Sequence, residues 1–350
     1  MNALPEERLG QLRVAKLKAL LGERLDGDEV VNSSPFGVGA ALATRSGLVA
    51  FLIEEADRRS LGGALVWALR QRASLPGPIR VVVIVDADEP TAGHLAREAT
   101  WFDVPVAVER IVGTASVPVA AAPFEDRGEA VEIPGEIHAL VVGEVDDAAS
   151  SGHRDVDVVV EWGVLRVEVL GLEVARVVPG DSAGGVRLEI GIGKFDREIA
   201  AMMHAEVPPA TALHNAVEIV RTYRHAAAAL HPLRDLVAER WLRQIALADP
   251  SLVGARELFP IDSTLQPQSL RESQPASARG VAADGSPIIA VFGAGVDLDI
   301  VPHAADTRAL HDPDATLIIV MPQRNILAPV VAVADALVSP ARFVNLELPY

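Results

Sequence analysis

Apolar and polar positions along the first third of the chain predict a defined order of helices and strands. Apolar residues recur at helical spacing across residues 6–25. Two apolar runs, at 36–44 and 48–53, flank a turn at 45–47, which is typical of a β-hairpin. The pattern then predicts, in chain order, a helix at 61–72, a strand at 80–85, a helix at 91–102 and a strand at 104–111.

The carboxyl-terminal residues repeat this order. Apolar runs at 280–283 and 287–292 flank Asp284-Gly285, a dipeptide that favours tight hairpin turns. The residues that follow predict a helix at 304–311, a strand at 315–321, a helix at 325–338 and a strand at 343–348. A true duplication and independent alternation of helices and strands both explain the repeated order, and the sequence leaves both open.

The middle of the chain has a different pattern. Apolar runs predict strands at 137–142, 156–161, 165–178 and 186–192. Two helices follow, one from Pro208-Pro209 to about residue 230 and one at 233–248, because proline suits a first helical turn. We therefore predict an α/β protein in which two similar hairpin-helix-strand-helix-strand modules flank a strand-rich middle module with a helical pair. The predicted boundaries are 1–113 for the first module, 114–135 for a linker, 136–261 for the middle module, 262–279 for a polar linker and 280–350 for the last module.

Composition narrows the classes of function without selecting one. The chain has 350 residues and a formal net charge of -17 at pH 7, so general binding to nucleic acids or anionic membranes is disfavoured. It has no cysteine, which excludes disulfides and thiolate metal sites. No apolar run approaches the roughly 18 residues of a membrane span, and no signal-like segment opens the chain. These features predict a cytoplasmic protein, and the arginine-rich, alanine-rich composition predicts a bacterial source.

Lys194 stands out because this chain has 31 basic residues and only three of them are lysines. A lysine amine is a compact charge whose pKa shifts readily, a property that arginine lacks. Lys194 follows a predicted strand that carries Glu189 and lies beside the run containing Glu168 and Glu173. On a regular strand the last two side chains point to opposite faces, and a bulge at Gly171 would align them. Three carboxylates and a lysine can hold a divalent cation and activate a water molecule.

This arrangement is similar to that of restriction-endonuclease-type nucleases, in which acidic residues and a lysine lie on neighbouring strands. The resemblance covers the middle third of the chain. It implies a Mg²⁺-dependent hydrolase of a phosphate-containing substrate, with Glu168, Glu173 and Glu189 as metal ligands and Lys194 stabilising charge on the phosphate. The family's signature has an acidic residue two positions before the lysine, whereas Ile192 stands there in this chain. Cross-strand ion pairs between glutamates and arginines on an exposed strand face also explain the pattern, and we favour that interpretation.

Other motifs supply weaker candidates. A basic pair of helices can bind an acidic ligand or dock on the acidic outer modules of the same chain, and internal docking is the favoured interpretation. Asp86-x-Asp88 and Asp297-x-Asp299 are similar to the Asp-x-Asp motif of many glycosyltransferases, although aspartates there also favour helix starts.

No dinucleotide fingerprint and no zinc motif is complete, so NAD, zinc and haem are not expected. The candidate ligand-binding residues are Arg176, Asp196, Arg197, His204, Arg221 and Arg224.

Two hypotheses of different kinds therefore remain. The favoured one is a non-catalytic interaction or ligand-binding protein, with association into a homo-oligomer left open. It predicts that the polar side chains of the middle module form pairs with one another. The alternative is the metal-dependent hydrolase, which predicts that Glu168, Glu173, Glu189 and Lys194 converge on one cation.

Overall fold

Nine helices and three β-sheets make up the part of the chain that the computed structural model describes. The described residues are 6–127, 132–180, 185–193, 197, 207–266 and 272–349. The helices are α1 (Glu6–Leu21), α2 (Gly62–Arg72), α3 (Glu89–Ala99), α4 (Gly135–Ser150), α5 (Pro209–Tyr223), α6 (Pro232–Asp235), α7 (Ala238–Ala248), α8 (Ile300–His311) and α9 (Ala328–Asp335). None of these described helices combines the length and apolar character needed to cross a bilayer.

The first sheet contains six strands in the order of the chain. It consists of β1 (Val30–Phe36), β2 (Gly39–Thr44), β3 (Leu48–Ile53), β4 (Arg80–Val85), β5 (Val106–Val112) and β6 (Ala115–Pro118). Each of the first three strands is antiparallel to its neighbour, whereas β3, β4 and β5 run parallel. Every residue of β2 and β3 is buried, which explains their continuous apolar sequences.

The third sheet repeats the strand order of the first. It consists of β11 (Ala255–Ile261), β12 (Ala276–Ala282), β13 (Pro287–Phe292), β14 (Thr316–Met321) and β15 (Ala341–Asn345). The strands β11 to β13 are antiparallel, and β13 and β14 are parallel. The predicted order of hairpin, helix, strand, helix and strand is thus present at both ends of the chain.

The second sheet, in the middle of the chain, corrects two predictions. Its strands are β7 (Val156–Glu161), β8 (Val164–Val169), β9 (Leu172–Pro179) and β10 (Val186–Ile190). Residues 137–142 belong to helix α4 and form no strand, because Val141 and Ala148 lie on one helical face buried in the core. Residues 165–178 form two strands, because Leu170 and Gly171 both adopt positive φ angles, 49° and 78°, in a tight hairpin turn.

The chain divides into two compact units. The first comprises residues 1–124, 296–306 and 327–341, and the second comprises residues 125–295, 307–326 and 342–350. The first sheet lies in the first unit, where α1 covers a core that includes Leu17, Leu42 and Ile84. The second unit has a core beneath α4 and α5 and another beneath α7. The predicted division into three modules and two linkers stays a prediction, although β6 lies within the first predicted linker and β12 begins within the second.

Candidate functional site

Four buried charged side chains form a closed ring between α7 and the second sheet. Arg240 donates to Glu168 and, at 2.8 Å, to Glu161. Arg243 donates to Glu161 and, at 3.0 Å, to Glu168. Both carboxylates therefore receive two guanidinium groups, and all four side chains are at most 12% exposed. Burial alone would raise the pKa of Glu161, but Arg243 and Arg240 lower it to about 2.

Glu173 and Glu189 continue this network of ion pairs across the sheet. Glu173 lies directly opposite Glu168 on the paired strand, so the turn at residues 170–171 aligns the two side chains. Its carboxylate contacts Arg166 and Arg197, each at 2.9 Å. The carboxylate of Glu189 contacts two arginines, Arg176 at 3.3 Å and Arg187 at 2.9 Å.

These ion pairs limit the chemical roles that the three carboxylates can have. Every oxygen of Glu168, Glu173 and Glu189 lies within 3.3 Å of a guanidinium nitrogen. Six arginines face four glutamates in this network, so its formal charge is already positive without an added ion. A divalent cation would have to displace arginines and add positive charge to a buried region, which is costly. The contacts favour a structural network.

The other residues predicted for this region divide into two groups. Arg176 and Arg197 join the network, and Arg197 is 8% exposed. Lys194, Asp196 and His204 lie outside the described residues. The catalytic, metal-binding and ligand-binding roles of all these residues stay predictions.

The arginines of the helical pair have partners within their own unit. Arg221 forms two hydrogen bonds with Asp155, both at 2.8 Å, and these bonds raise its pKa. Arg224 is 1% exposed, donates to the carbonyl oxygens of Leu233 and Leu236, and stacks 4.4 Å above the ring of Trp241. These contacts all lie within the middle region of the chain, so docking of the basic helices on the outer modules stays a prediction.

The Asp-x-Asp motifs have structural contacts. Asp88 caps α3 by accepting a hydrogen bond of 2.9 Å from the backbone amide of Thr91. In the second motif, Asp299 accepts a hydrogen bond of 2.6 Å from the backbone amide of Gly62, and Asp297 forms an ion pair of 2.7 Å with Arg59. Burial raises the pKa of Asp299 to about 7.

An open cleft in the second unit lies where β13 and β14 end. These strands are parallel, and ligands of α/β proteins commonly bind at the carboxyl ends of parallel strands. The cleft has a volume of about 270 Å³. Ala294 and Gly295 line it after β13, and Arg324 and Asn325 line it after β14. A hydrogen bond of 3.2 Å from the Gly295 amide to the Asn325 side chain joins the two loops.

The opposite wall of the cleft comes from residues 235–239, around the start of α7. Val237 precedes the helix with φ 45° and ψ 49°, a left-handed conformation that is strained for a β-branched residue. Such strained residues cluster at functional sites. The buried Glu239 accepts a hydrogen bond from Ser273, which also lines the cleft. The wall therefore combines apolar side chains, carboxylates and a helix start without a side-chain cap.

No motif in the sequence marks this cleft. The run Gly293-Ala294-Gly295 includes two of its lining residues, but it lacks the third glycine of a dinucleotide fingerprint. The signal that could have found the cleft is the position of residues 294–295 and 324–325, which directly follow two neighbouring parallel strands. The contribution of residues 235–239 could not be predicted, because it depends on the packing of α7 against the third sheet.

A second polar cluster is buried in the first unit. His94, Glu98 and Asp306 each offer a ligand atom, and these atoms lie within 4.8 Å of one another. Arg97 donates to Asp306 at 2.9 Å and to Nδ1 of His94 at 2.9 Å. Trp101 also donates to Asp306, at 3.1 Å. Side chains of α3 and α8 therefore share one buried network.

The hydrogen bonds of this cluster do not suit a metal ion. Arginine only donates, so Nδ1 of His94 must accept, and the ring is neutral with its hydrogen on Nε2. That hydrogen leaves no lone pair on Nε2 for a cation. Asp306 is already paired with Arg97, whose charge would repel a metal ion. We therefore interpret the cluster as a site that holds protons.

Comparisons with protein-family models, with curated proteins and with solved structures find no match for this chain.

Proposed function

We propose that this protein is a non-catalytic ligand-binding protein and that its ligand site is the cleft at the ends of β13 and β14. The observation that carries the proposal is the cleft itself, which combines polar groups of both charges with apolar side chains. The saturated carboxylates of the middle sheet support the non-catalytic part of the proposal, because they already pair with arginines. Association into a homo-oligomer and a cytoplasmic location stay predictions.

The dimensions and lining of the cleft point to a small polar organic ligand. A volume of about 270 Å³ lies just below the range of roughly 300–1,000 Å³ that is common for drug-sized ligands. Arg324 offers a cation at the rim, and Asp235, Glu239 and Glu272 offer carboxylates. Apolar surface comes from Leu236, Val237, Ala294, Pro322 and Leu348. A ligand with both charged and apolar parts matches this lining.

A thermal-shift screen with amino acids, amines, sugars and carboxylic acids tests the proposal. We expect at least one compound to raise the melting temperature of the wild-type protein. Arg324 is exposed, so Arg324→Ala should leave the fold intact and remove a charge-assisted contact. Since such a contact contributes about 1.5–3 kcal/mol, affinity for an anionic group should fall roughly 10- to 150-fold.

The matched control is Arg256→Ala, because Arg256 is an exposed arginine of β11 that does not line the cleft. This variant should bind the compound as the wild type does. The proposal fails if no compound stabilises the protein, or if a compound binds and neither Arg324→Ala nor Glu239→Gln weakens it. Stabilisation by Mg²⁺ or Mn²⁺ alone would instead support the hydrolase.

A further inference from the structure

His94 and Glu98 are two buried titratable side chains that lie close together in the first unit. The two side chains lie one helical turn apart on α3, with Nε2 of His94 3.2 Å from Oε1 of Glu98. Both are at most 3% exposed. The other carboxylate oxygen of Glu98 has no hydrogen-bond partner among the described residues. An ionised carboxylate in that position would be costly.

The hydrogen bonds of His94 exclude an ion pair between its ring and the carboxylate of Glu98. An ion pair with His94 would require a protonated ring, and a protonated ring has no lone pair to accept the hydrogen bond from Arg97. His94 is therefore neutral. The charge of Arg97 is shared with Asp306, which receives hydrogen bonds from it at 2.9, 2.9 and 3.3 Å. The attraction of Arg97 and Arg58 does not offset the effects of burial and of Asp306, which raise the pKa of Glu98.

The groups around Glu98 come from every element packed against it. His94 and Arg97 lie on α3, and Asp306 and His303 lie on α8. The segment before α8 contributes Asp297 and Asp299, and the loop before α2 contributes Arg58 and Arg59. Burial raises the pKa of Glu98 well above its ordinary value, and the negative charge of Asp306 raises it further. Burial also lowers the pKa of His303 to about 4, so its ring is neutral at pH 7.

We propose that Glu98 carries a proton in the folded protein and acts as a pH-sensitive latch between α3 and the first part of α8, because its carboxyl group lies within 4.8 Å of the Asp306 carboxylate. The latch holds while Glu98 is neutral. When the pH rises, Glu98 ionises, releases its proton to solvent and repels Asp306 on the facing helix. The contact between the two helices then weakens. This inference concerns the first unit and does not depend on the proposed ligand site.

Hydrogen exchange measured by mass spectrometry on peptides that cover α3 tests the latch. Glu98→Gln mimics the protonated carboxyl group and cannot ionise. Above the ordinary carboxyl pKa of 4.5 the open state releases a proton that the closed state keeps, so the wild-type opening equilibrium should rise about tenfold per pH unit relative to Glu98→Gln. This rise should stop at the raised pKa of Glu98.

The matched control is Glu89→Gln, the same substitution at an exposed position of the same helix. It should follow the wild type at every pH. Equal exchange of α3 in the wild type and Glu98→Gln across this pH range would overturn the proposal. If Glu98→Gln does not fold, infrared spectroscopy of the wild type with ¹³C-labelled glutamate decides the question. A protonated carboxyl band that persists as the pH rises above 4.5 supports the latch, and loss of that band at about pH 4.5 overturns it.

Discussion

At the scale of single residues, the middle sheet is organised by the compensation of buried charge. Glu161 and Glu168 each lie between Arg240 and Arg243, so removing one arginine leaves carboxylates in a dry environment with too little positive charge. The cost of such an uncompensated charge is much larger than the benefit of a surface ion pair. The sequence predicts ion pairs between glutamates and arginines on an exposed strand face, whereas Glu168 and Glu173 are buried. It does not identify Arg240 and Arg243 as partners of Glu168, because they lie more than 70 residues away.

Arg243→Ala should therefore destabilise the protein by about 3–5 kcal/mol, measured by urea denaturation. The matched control is Arg45→Ala, because Arg45 pairs with Glu29 on the surface, where both side chains are 63% exposed. That substitution should have little effect. Equal losses of stability in the two variants would show that the buried ring is no more important than a surface pair.

Gly171 offers a second prediction at this scale. Its φ of 78° disfavours any side chain, and an added Cβ atom would lie 2.3 Å from the backbone carbon of Arg240. Gly171→Ala should destabilise the protein by more than the roughly 1–2 kcal/mol that left-handed strain alone costs. Gly285→Ala is the control, because Gly285 has a φ of 90° with no atom within 4 Å of an added Cβ. Similar losses in both variants would contradict the close approach of α7 to the turn.

At the scale of elements, the sequence predicts the terminal regions well because their strands and helices are long and are bounded by clear turn and capping residues. The hairpin at Asp284-Gly285 and the helix after Asp88 both follow local signals. Two errors arose in the middle of the chain. Residues 137–142 are a short apolar run whose period does not separate helix from strand, and Leu170-Gly171 is a rare sequence for a tight turn. The cleft was missed because it depends on packing between distant elements.

The cap of α3 gives a prediction at this scale. Asp88→Ala removes the acceptor for the Thr91 amide, so it should cost about 1 kcal/mol of stability in chemical denaturation. Asp86→Ala is the natural control, because Asp86 belongs to the same Asp-x-Asp motif and lies outside α3. It should have a smaller effect. If Asp86→Ala is the more destabilising of the two, the motif has a role that capping does not explain.

At the scale of the whole molecule, buried carboxyl groups in both units should make stability depend on pH. Burial raises the pKa of Asp157 in the second unit and of Asp299 in the first to about 7. Each group keeps its proton in the folded state at pH values where the unfolded chain has lost it. Stability is therefore fully present below about pH 4 for these groups and is lost as the pH rises to about 7. His303 acts in the opposite direction, since its lowered pKa reduces stability as the pH falls from 6.5 to about 4.

Asp157→Asn isolates one of these contributions. Relative to the wild type, the variant should gain stability by up to about 1.4 kcal/mol per pH unit between pH 4 and pH 7, and the gain should level off above pH 7. Urea denaturation at a series of pH values measures the difference. A difference that does not change with pH would contradict a raised pKa at this position.

Two properties distinguish the proposed ligand-binding protein from a metal-dependent hydrolase: the cleft binds a small molecule, and the network of Glu168 and Glu173 binds no metal ion. Methyl NMR of ¹³C-alanine-labelled protein tests both properties in one experiment, because Ala238 and Ala294 line the cleft and Ala175 lies on β9 beside the network. We expect a compound from the screen to shift the signals of Ala238 and Ala294, and Mn²⁺ to leave the Ala175 signal sharp. Broadening of the Ala175 signal by Mn²⁺, with no compound that shifts Ala238 or Ala294, would instead favour the metal-dependent hydrolase.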